Sequence, residues 1–258
     1  MSLPSPSRLI FASLSLGSVF LLARAALGGG FGGKELAVVF VWVVFSTLGV
    51  FFPWLQMYVP ALCRIPAGRA ELALTFDDGP HPVSTRRVLA LLAPTRHRAT
   101  FFVLGDKVRR HPELAREILA AGHTLGIHGD YHDRLHSFRC PGRVAREIAR
   151  ARSSVEAACG VRPDWFRPPL GHTSPLTALG LRRTDVRVVG WSARGYDGLP
   201  GSEPKAIAAR VEPDLKDGAI VLLHDAAERD DFEPPGVRAL PEILAMLDAR
   251  GLTSVGLR

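Results

Sequence analysis

Two long apolar stretches precede any regular alternation of apolar and polar residues in this chain. The first runs from about residue 9 to 27, and the second, which carries no charge, runs from about 36 to 59. A helix of about 20 apolar residues spans the hydrocarbon of a bilayer. We therefore predict two membrane-spanning helices, with the glycine-rich segment 28–33 as the tight link of a helical hairpin. The alternative for the first stretch is a cleaved signal peptide, since Ala23-Arg24-Ala25 resembles a signal-peptidase site.

Beyond residue 66 the pattern changes, and short apolar runs alternate with amphipathic stretches. The predicted strands are 72–76, 100–104, 124–127, 164–166, 187–190, 220–223 and 252–255. The predicted helices are 84–92, 112–121, 142–158, 174–181, 204–215 and 237–250. This alternation predicts an α/β fold with a parallel sheet and crossover helices. Seven strands suggest a closed or nearly closed barrel. We divide the chain into a membrane anchor, 1–66, and a catalytic domain, 67–258.

Composition narrows the set of partners. Hydrophobic residues make up 47% of the chain, charged residues 22%, and the net charge is +7. A basic surface can serve nucleic acid, anionic lipid or an acidic substrate. No basic run is interleaved with aromatic residues, so we expect no nucleic-acid partner. Cys63, Cys140 and Cys159 lie far apart, which argues against a disulfide framework and against a thiolate zinc site.

The charges that flank the apolar stretches predict an orientation. Arg8 precedes the hairpin and Arg64 and Arg69 follow it, whereas Lys34 in the link is offset by Glu35. Positive charge stays on the cytoplasmic side of a membrane protein. We therefore expect a protein integral to the inner membrane, with its catalytic domain in the cytoplasm.

In parallel barrels, chemistry gathers where strands end, and polar motifs do follow these strands. The block TFDDGP places Asp77 and Asp78 after the first strand. Neighbouring strand residues point to opposite sides, so the two carboxylates can take different roles. His128 and His132 follow the third strand at a spacing that shares one face of a helical turn, as two imidazole ligands do. With one carboxylate they form a set suited to Zn²⁺ or another divalent transition metal. Asp130 lies between them and is not counted as a ligand.

Two further strand ends carry polar residues. Arg167 opens the segment RPPLG, in which the prolines stiffen the turn and fix where the side chain points. An arginine can hold a carboxylate by two hydrogen bonds and keep it ionised. His224 stands in the segment LLHD. A histidine in this place can donate a proton to a leaving amine near neutral pH.

These motifs, in this order, closely resemble those of the polysaccharide deacetylase family, also called the NodB-homology domain or carbohydrate esterase family four. The resemblance covers roughly residues 71–258. It implies a distorted (β/α)7 barrel and metal-dependent hydrolysis of the amide of an N-acetylated sugar. It also implies that Asp77 is the general base and that Asp78, His128 and His132 bind the metal. The expected ion is Zn²⁺, with Co²⁺ or Ni²⁺ as alternatives.

The resemblance implies roles for five more residues. Arg167 would orient the base, and His224 would be the general acid. The backbone N–H of Leu170 would help to hold the oxyanion, a role that needs no particular side chain. Trp191 and Leu222 would line the pocket for the acyl methyl group.

The chain also departs from the family pattern. Gly129 stands where serine or threonine is common after the first histidine ligand. In the region of the fourth family motif the alignment is loose, and Asp197 is a partner of either Arg167 or His224. Arg194, in the same region, is a candidate contact to substrate, including a phosphate. These departures concern the identity of the substrate more than the type of reaction.

Three functional readings remain open at this point. The first is a deacetylase of an N-acylated carbohydrate, which is a polysaccharide, an oligosaccharide or a lipid-linked sugar. The membrane segments favour a substrate at the bilayer, such as a polyprenyl-phosphate sugar or a glycolipid. The second reading is a deformylase or deacylase of such a lipid-linked amino sugar. The third is a non-catalytic, sugar-binding barrel, which loss of the base or of a metal ligand would mark. Neither is lost here.

Overall fold

The computed structural model describes residues 5–29 and 32–258. Its helices, in chain order, are α1 (Pro6–Ala26), α2 (Gly33–Phe51), α3 (Ser84–Leu92), α4 (Gly105–Arg110), α5 (Pro112–Ala120), α6 (Pro141–Cys159), α7 (Pro175–Leu181), α8 (Pro204–Val211) and α9 (Pro235–Ala249). Its strands are β1 (Ala61–Leu62), β2 (Glu71–Asp77), β3 (Ala99–Val103), β4 (Thr124–Ile127), β5 (Trp165–Phe166), β6 (Arg187–Val189), β7 (Ala193–Arg194), β8 (Ile220–His224) and β9 (Thr253–Ser254). Every predicted strand and every predicted helix of the domain is present, with ends that shift by a few residues.

Helices α1 and α2 lie side by side as a hairpin, although Gly30 and Phe31 of the predicted link lie outside the described residues. The indole of Trp42 donates a hydrogen bond to the Ser15 hydroxyl at 2.9 Å, which ties one helix to the other. Both helices are long and apolar enough to cross a membrane, and only 6% of each apolar window is buried. Their apolar side chains therefore face outward rather than into a protein core.

The second apolar segment is not one helix, and its predicted end at residue 59 is too late. Helix α2 ends at Phe51, because the residue before Pro53 is driven out of the helical region by the proline ring. The chain then turns, and Met57 and Val59 are buried, with 4% and 7% of their surfaces exposed. Val59 belongs to the main hydrophobic core of the domain. The domain thus begins to pack before residue 66, and the division at that residue stays a proposal.

The strands form one curled parallel sheet in the order β1-β6-β5-β4-β3-β2-β8-β7, with β9 paired to β2. Strands β6 and β7 follow each other in one extended segment, and the two ends of this segment pair with different strands. Its start pairs with β5, and its end pairs with β8, where Ala193 lies opposite Val221. Strand β1 adds to the free edge of β6, with Ala61 opposite Val188. The sheet therefore curls into a barrel that is open between β1 and β7, which confirms the predicted fold class.

The central strands are apolar on both faces because helices cover the outside and side chains fill the inside. All five residues of β3 are buried. Phe76 and Phe101 pack outward under the helices, while Phe102 and Leu222 face the smaller inner cluster. Sequence patterning missed β1 and β7, since two residues show no period, and it missed α4, a single short turn rich in charge.

Candidate active site

The two adjacent aspartates stand where β2 leaves the sheet. Asp77 is the last residue of the strand and lies opposite His224 of β8 in the parallel register. Asp78 turns into the left-handed region, with a φ of 72°. At Gly79 a Cβ atom would overlap the buried carboxyl group of Asp225, so this turn accepts only glycine. The register and the turn together place both carboxylates at the mouth of the barrel.

Asp78, His128 and His132 form a cluster that could hold a metal ion. The Oδ1 atom of Asp78 lies 3.6 Å from Nε2 of His128 and 3.7 Å from Nε2 of His132. The three candidate ligand atoms all lie within 4.8 Å of one another. Tetrahedral ligands at 2.0–2.2 Å from an ion are about 3.3 Å apart, so the cluster needs little adjustment. Within the described residues Asp78 Oδ1 is buried and has no hydrogen-bond partner, as expected for a ligand atom.

The imidazole of His128 is hydrogen-bonded on the side away from the cluster, whereas Nδ1 of His132 has a carboxylate nearby but no hydrogen-bond partner within the described residues. Nδ1 of His128 lies 2.8 Å from the carbonyl oxygen of Arg167, so it donates its proton there and leaves Nε2 with a lone pair. Burial lowers the pKa of His128 well below its usual value, which keeps the ring neutral. Nδ1 of His132 lies 3.3 Å from Oε2 of Glu228, and Arg134 pairs with the same oxygen at 2.8 Å. Sequence reasoning missed Glu228, because its loop after β8 carries no motif.

The spacing of His128 and His132 suggested a helical turn, but the structure has none there. Residues 128–132 form an irregular loop, with Gly129 at a φ of 110° that disfavours any residue with a Cβ. The loop is fastened to α4, because the amide of Gly105 donates to the carbonyl of Gly129 at 3.0 Å. The glycine therefore permits the backbone conformation that this loop requires. Asp130 points away from the cluster. Its buried carboxylate pairs with Arg109 at 2.5 Å.

Asp77 is held by a fully buried arginine. The Nη1 atom of Arg167 donates to Oδ1 of Asp77 at 2.7 Å and to the Thr75 hydroxyl at 2.8 Å, and its Nη2 donates to the carbonyl of Gly190 at 2.9 Å. Burial raises the pKa of Asp77, and the charges of Arg167 and His224 oppose that rise. Because Oδ1 is occupied, Oδ2 is the oxygen available to accept a proton. Sequence reasoning missed Thr75 as the second support of the arginine.

His224 faces this pair from the neighbouring strand and is paired with Asp197. Its Nδ1 lies 2.9 Å from Oδ1 of Asp197, and its backbone amide donates to Oδ2 at 2.9 Å. Burial alone would lower the pKa of His224, but the charge of Asp197, together with Asp78 and Asp77, raises it to about 9. Of the two partners considered for Asp197, the structure places His224 against it. The arrangement leaves Nε2 of the imidazole available to donate a proton.

Trp191 links the loop of Leu170 to the inner apolar cluster that contains Leu222. Leu170 has a φ of 58°, an unusual conformation for a bulky residue, and its side chain is 42% exposed. At the next residue, Gly171, a Cβ atom would overlap the ring of Trp191. Trp191 and Leu222 are 7% and 4% exposed and belong to the same inner apolar cluster. Such strained backbone is frequent at functional sites.

The end of helix α2 packs on this same loop. The ring of Phe51 meets the imidazole of His172 edge-to-face, with ring centres 4.7 Å apart. The amide of Thr173 donates to the carbonyl of Val50 at 3.2 Å. The apolar hairpin is therefore attached next to the mouth of the barrel and not on its far side.

Comparisons with known proteins agree with the geometry. The sequence model of the family described as polysaccharide deacetylase matches residues 64–189. The chitooligosaccharide deacetylase of Sinorhizobium fredii is 34% identical over 206 residues, 75% of this chain and 93% of that protein. The peptidoglycan-N-acetylglucosamine deacetylase of Bacillus cereus is 32% identical over 190 residues, 73% of this chain and 86% of that protein. A family 4 acetyl xylan esterase from Clostridium thermocellum, solved with a cobalt ion, superposes with a TM-score of 0.66 at 32% identity, covering 72% of this chain and 87% of that one. The chain therefore belongs to the polysaccharide deacetylase family and is a hydrolase that removes acyl groups from carbohydrate.

Proposed function

We propose that this protein is a metal-dependent de-N-acetylase of an amino sugar presented at a membrane surface. The observation that carries the proposal is that three groups of catalytic type lie together at one barrel mouth. The first is the candidate ligand set Asp78, His128 and His132, and the second is the carboxylate of Asp77 held by a buried arginine. The third is His224, supported by a carboxylate. Together these groups supply what hydrolysis of an amide requires.

Each residue has a distinct task in this reaction. A divalent ion held by the ligand set, most simply Zn²⁺ with Co²⁺ or Ni²⁺ as alternatives, would act as a Lewis acid on the amide carbonyl and lower the pKa of the attacking water. Asp77 accepts the water proton at Oδ2, since Arg167 occupies Oδ1. Nε2 of His224 donates a proton to the leaving amine, since Nδ1 faces Asp197.

The remaining site residues position the acyl group. The backbone of Leu170 is left-handed, and its amide would donate a hydrogen bond to the oxyanion. Trp191 and Leu222 form an apolar pocket for the acetyl methyl group. This assignment leaves formyl as a smaller acyl group that the same pocket would also admit.

The location of the substrate follows from the hairpin. Helices α1 and α2 span the membrane in this proposal, and α2 ends against the loop beside the site. At the end of the hairpin that carries the domain lie Arg8, Arg64 and Arg69, whereas the other end carries Arg24 and Lys34, offset in part by Glu35, which pairs with Arg24 at 2.7 Å. The positive end of such a hairpin stays in the cytoplasm. The substrate is then a lipid-linked N-acetylated sugar rather than a finished extracellular polymer.

The function is tested by purifying the full chain in detergent, loading it with Zn²⁺ or Co²⁺, and measuring released acid. Substrates are N-acetylglucosamine oligomers, a lipid-linked N-acetyl sugar and its N-formyl counterpart. We expect metal-dependent acetate release, with a higher kcat/KM for the lipid-linked sugar. Formate without acetate would identify a deformylase, and no acid from any substrate despite bound metal would support the non-catalytic reading.

A pH profile tests the acid role of His224. A general acid must be protonated, so activity is lost as the pH rises through its pKa, which the charge of Asp197 helps to raise to about 9. In Asp197→Asn that charge is gone and burial lowers the pKa. We expect the alkaline limb of kcat/KM to move down by at least about one pH unit and kcat to fall about ten- to a hundredfold. Because both enzymes carry the same metal, its effect on the limb cancels in the comparison; an unchanged alkaline limb would contradict the assignment.

A further inference from the structure

The open side of the barrel, between β1 and β7, forms a cleft that the reaction itself does not use. Its volume is about 740 Å³, within the range of small-molecule sites. It is lined on one side by the end of α2 and the turn after it, and on the other by β7 and α8. The cleft therefore lies between the apolar hairpin and the catalytic barrel.

Three arginines from separate parts of the chain meet in this cleft: Arg64, Arg194 and Arg210. None of them has a carboxylate within 4.0 Å in the part of the chain that the structure describes. The one acidic lining residue, Asp214, is paired with Lys216 at 3.2 Å. The cleft thus concentrates positive charge that the protein itself does not neutralise.

Two of the three guanidinium groups, those of Arg194 and Arg210, are held in position by aromatic rings and backbone. Arg194 lies over the ring of Tyr196 at 4.3 Å and near that of Trp191 at 5.5 Å. Arg210 donates to the carbonyl of Gly195 at 2.5 Å and also lies over Tyr196, at 5.6 Å. Stacked, fixed guanidinium groups bind phosphate oxygens well because their donors are already oriented.

The opposite wall of the cleft is apolar and aromatic. Phe51 and Phe52 end the hairpin, and the ring of Phe52 packs against Trp54 at 4.6 Å. Trp54 remains 53% exposed. A ligand that fits both walls carries an anionic group joined to an apolar chain.

The cleft is continuous with the catalytic site. Trp191 lines the cleft and is also the ring that packs on the loop of Leu170. Arg194 lies opposite Leu222 in the parallel register, and partners in such a register point to the same face of the sheet. Arg194 therefore shares the inner face of the sheet with Leu222, a member of the inner apolar cluster that also contains Trp191.

We propose that this cleft binds the phosphate group of a lipid-linked sugar whose apolar chain stays in the bilayer beside α2. The inference rests on the proposed function and adds to it the group of the substrate that is recognised. Arg64, Arg194 and Arg210 bind the phosphate oxygens, Trp54 and Phe52 contact the first apolar carbons, and the sugar reaches past Trp191 to the metal cluster.

Binding tests this without catalysis. The metal-free full chain, in an uncharged detergent, is titrated with geranylgeranyl phosphate while its tryptophan fluorescence is followed. Three further ligands are titrated in the same way. Geranylgeraniol tests the apolar chain alone, inorganic phosphate tests the free anion, and phosphatidylglycerol tests an ordinary anionic lipid. We expect tight binding of the prenyl phosphate only, weakening as salt is raised. Arg194→Gln and Arg64→Gln should each raise its Kd about tenfold, whereas Arg238→Gln, on the exposed face of α9, should not.

Activity gives an independent readout. On a prenyl-phosphate-linked N-acetyl sugar, the same two variants should raise KM about tenfold with kcat preserved, and they should leave turnover of an uncharged alkyl N-acetylglucosaminide unchanged. Equal losses on both substrates would show a structural role and overturn the proposal, as would equal binding of phosphatidylglycerol or unaltered prenyl phosphate binding in the variants. If no substrate is turned over while binding behaves as expected, the proposed reaction fails and the phosphate site stands.

Discussion

Asp77→Asn should lower kcat by about three orders of magnitude, the scale of a general base contribution, while the protein still binds metal. In the wild type, Nη1 of Arg167 donates a hydrogen bond to Oδ1 of Asp77 at 2.7 Å. Asparagine keeps an oxygen at this place that can accept the same hydrogen bond. It cannot take a proton from water. Alanine would be a poorer choice, because it would also remove that acceptor and leave a buried N–H of Arg167 without its hydrogen bond, at a cost of about 1–3 kcal/mol.

The measurement is acetate release at saturating substrate, with metal content and thermal unfolding recorded on the same samples. Asp248→Asn is the matched control, since its carboxylate is 57% exposed and pairs with Arg96 far from the site. It should keep wild-type activity. Activity of Asp77→Asn above about a tenth of wild type, with metal bound, would falsify the assignment of Asp77 as base.

His128→Ala should abolish stoichiometric metal binding, and Glu228→Gln should weaken it by an intermediate amount. The first removes a ligand atom from a set of three. The second removes the carboxylate 3.3 Å behind His132. Loss of such an outer partner typically costs about 10- to 100-fold in metal affinity. The affinities are measured by Co²⁺ absorption titration of chelator-treated protein, so the result does not depend on catalysis.

Arg134→Gln is the control for the second variant, because it removes the exposed ion pair to Glu228 but leaves the carboxylate beside His132. We expect its Co²⁺ affinity to stay within about threefold of wild type, as for most surface ion pairs. If His128→Ala still binds one equivalent of Co²⁺ tightly, the ion is held elsewhere. An unchanged affinity in Glu228→Gln would reduce Glu228 to a surface role.

The sequence carried most of the fold because its signals were local. Apolar runs of strand length alternated with helical periods, and this pattern is enough to predict a parallel sheet. The strand-end motifs were also local, since Asp77 and Asp78 are consecutive and the two histidines are four residues apart. The fold then brings these ends together whatever their separation along the chain.

What the sequence could not supply were contacts between distant segments. Nothing in the residues around Glu228 signals that its carboxylate meets His132, because that contact exists only once the loop after β8 folds over the site. The end of α2 was predicted too late, since apolar residues near Val59 serve a protein core as well as they serve a membrane. The cleft with three arginines could not be predicted from the sequence either. Arg64 and Arg210 are far apart along the chain and line the same cleft only in the folded barrel.

The pairing of β1 with β6 bears on how the protein is made. Ala61 leaves the ribosome early, but its partner Val188 is synthesised only after most of the domain. Chains fold during synthesis from the N-terminal end, and pairing between distant segments is slow. Strand β1, joined to the apolar hairpin by a short segment, therefore stays unpaired until β6 has been synthesised. The hairpin has therefore already been synthesised when β1 gains its partner, and the sheet is completed on a segment that adjoins the hairpin.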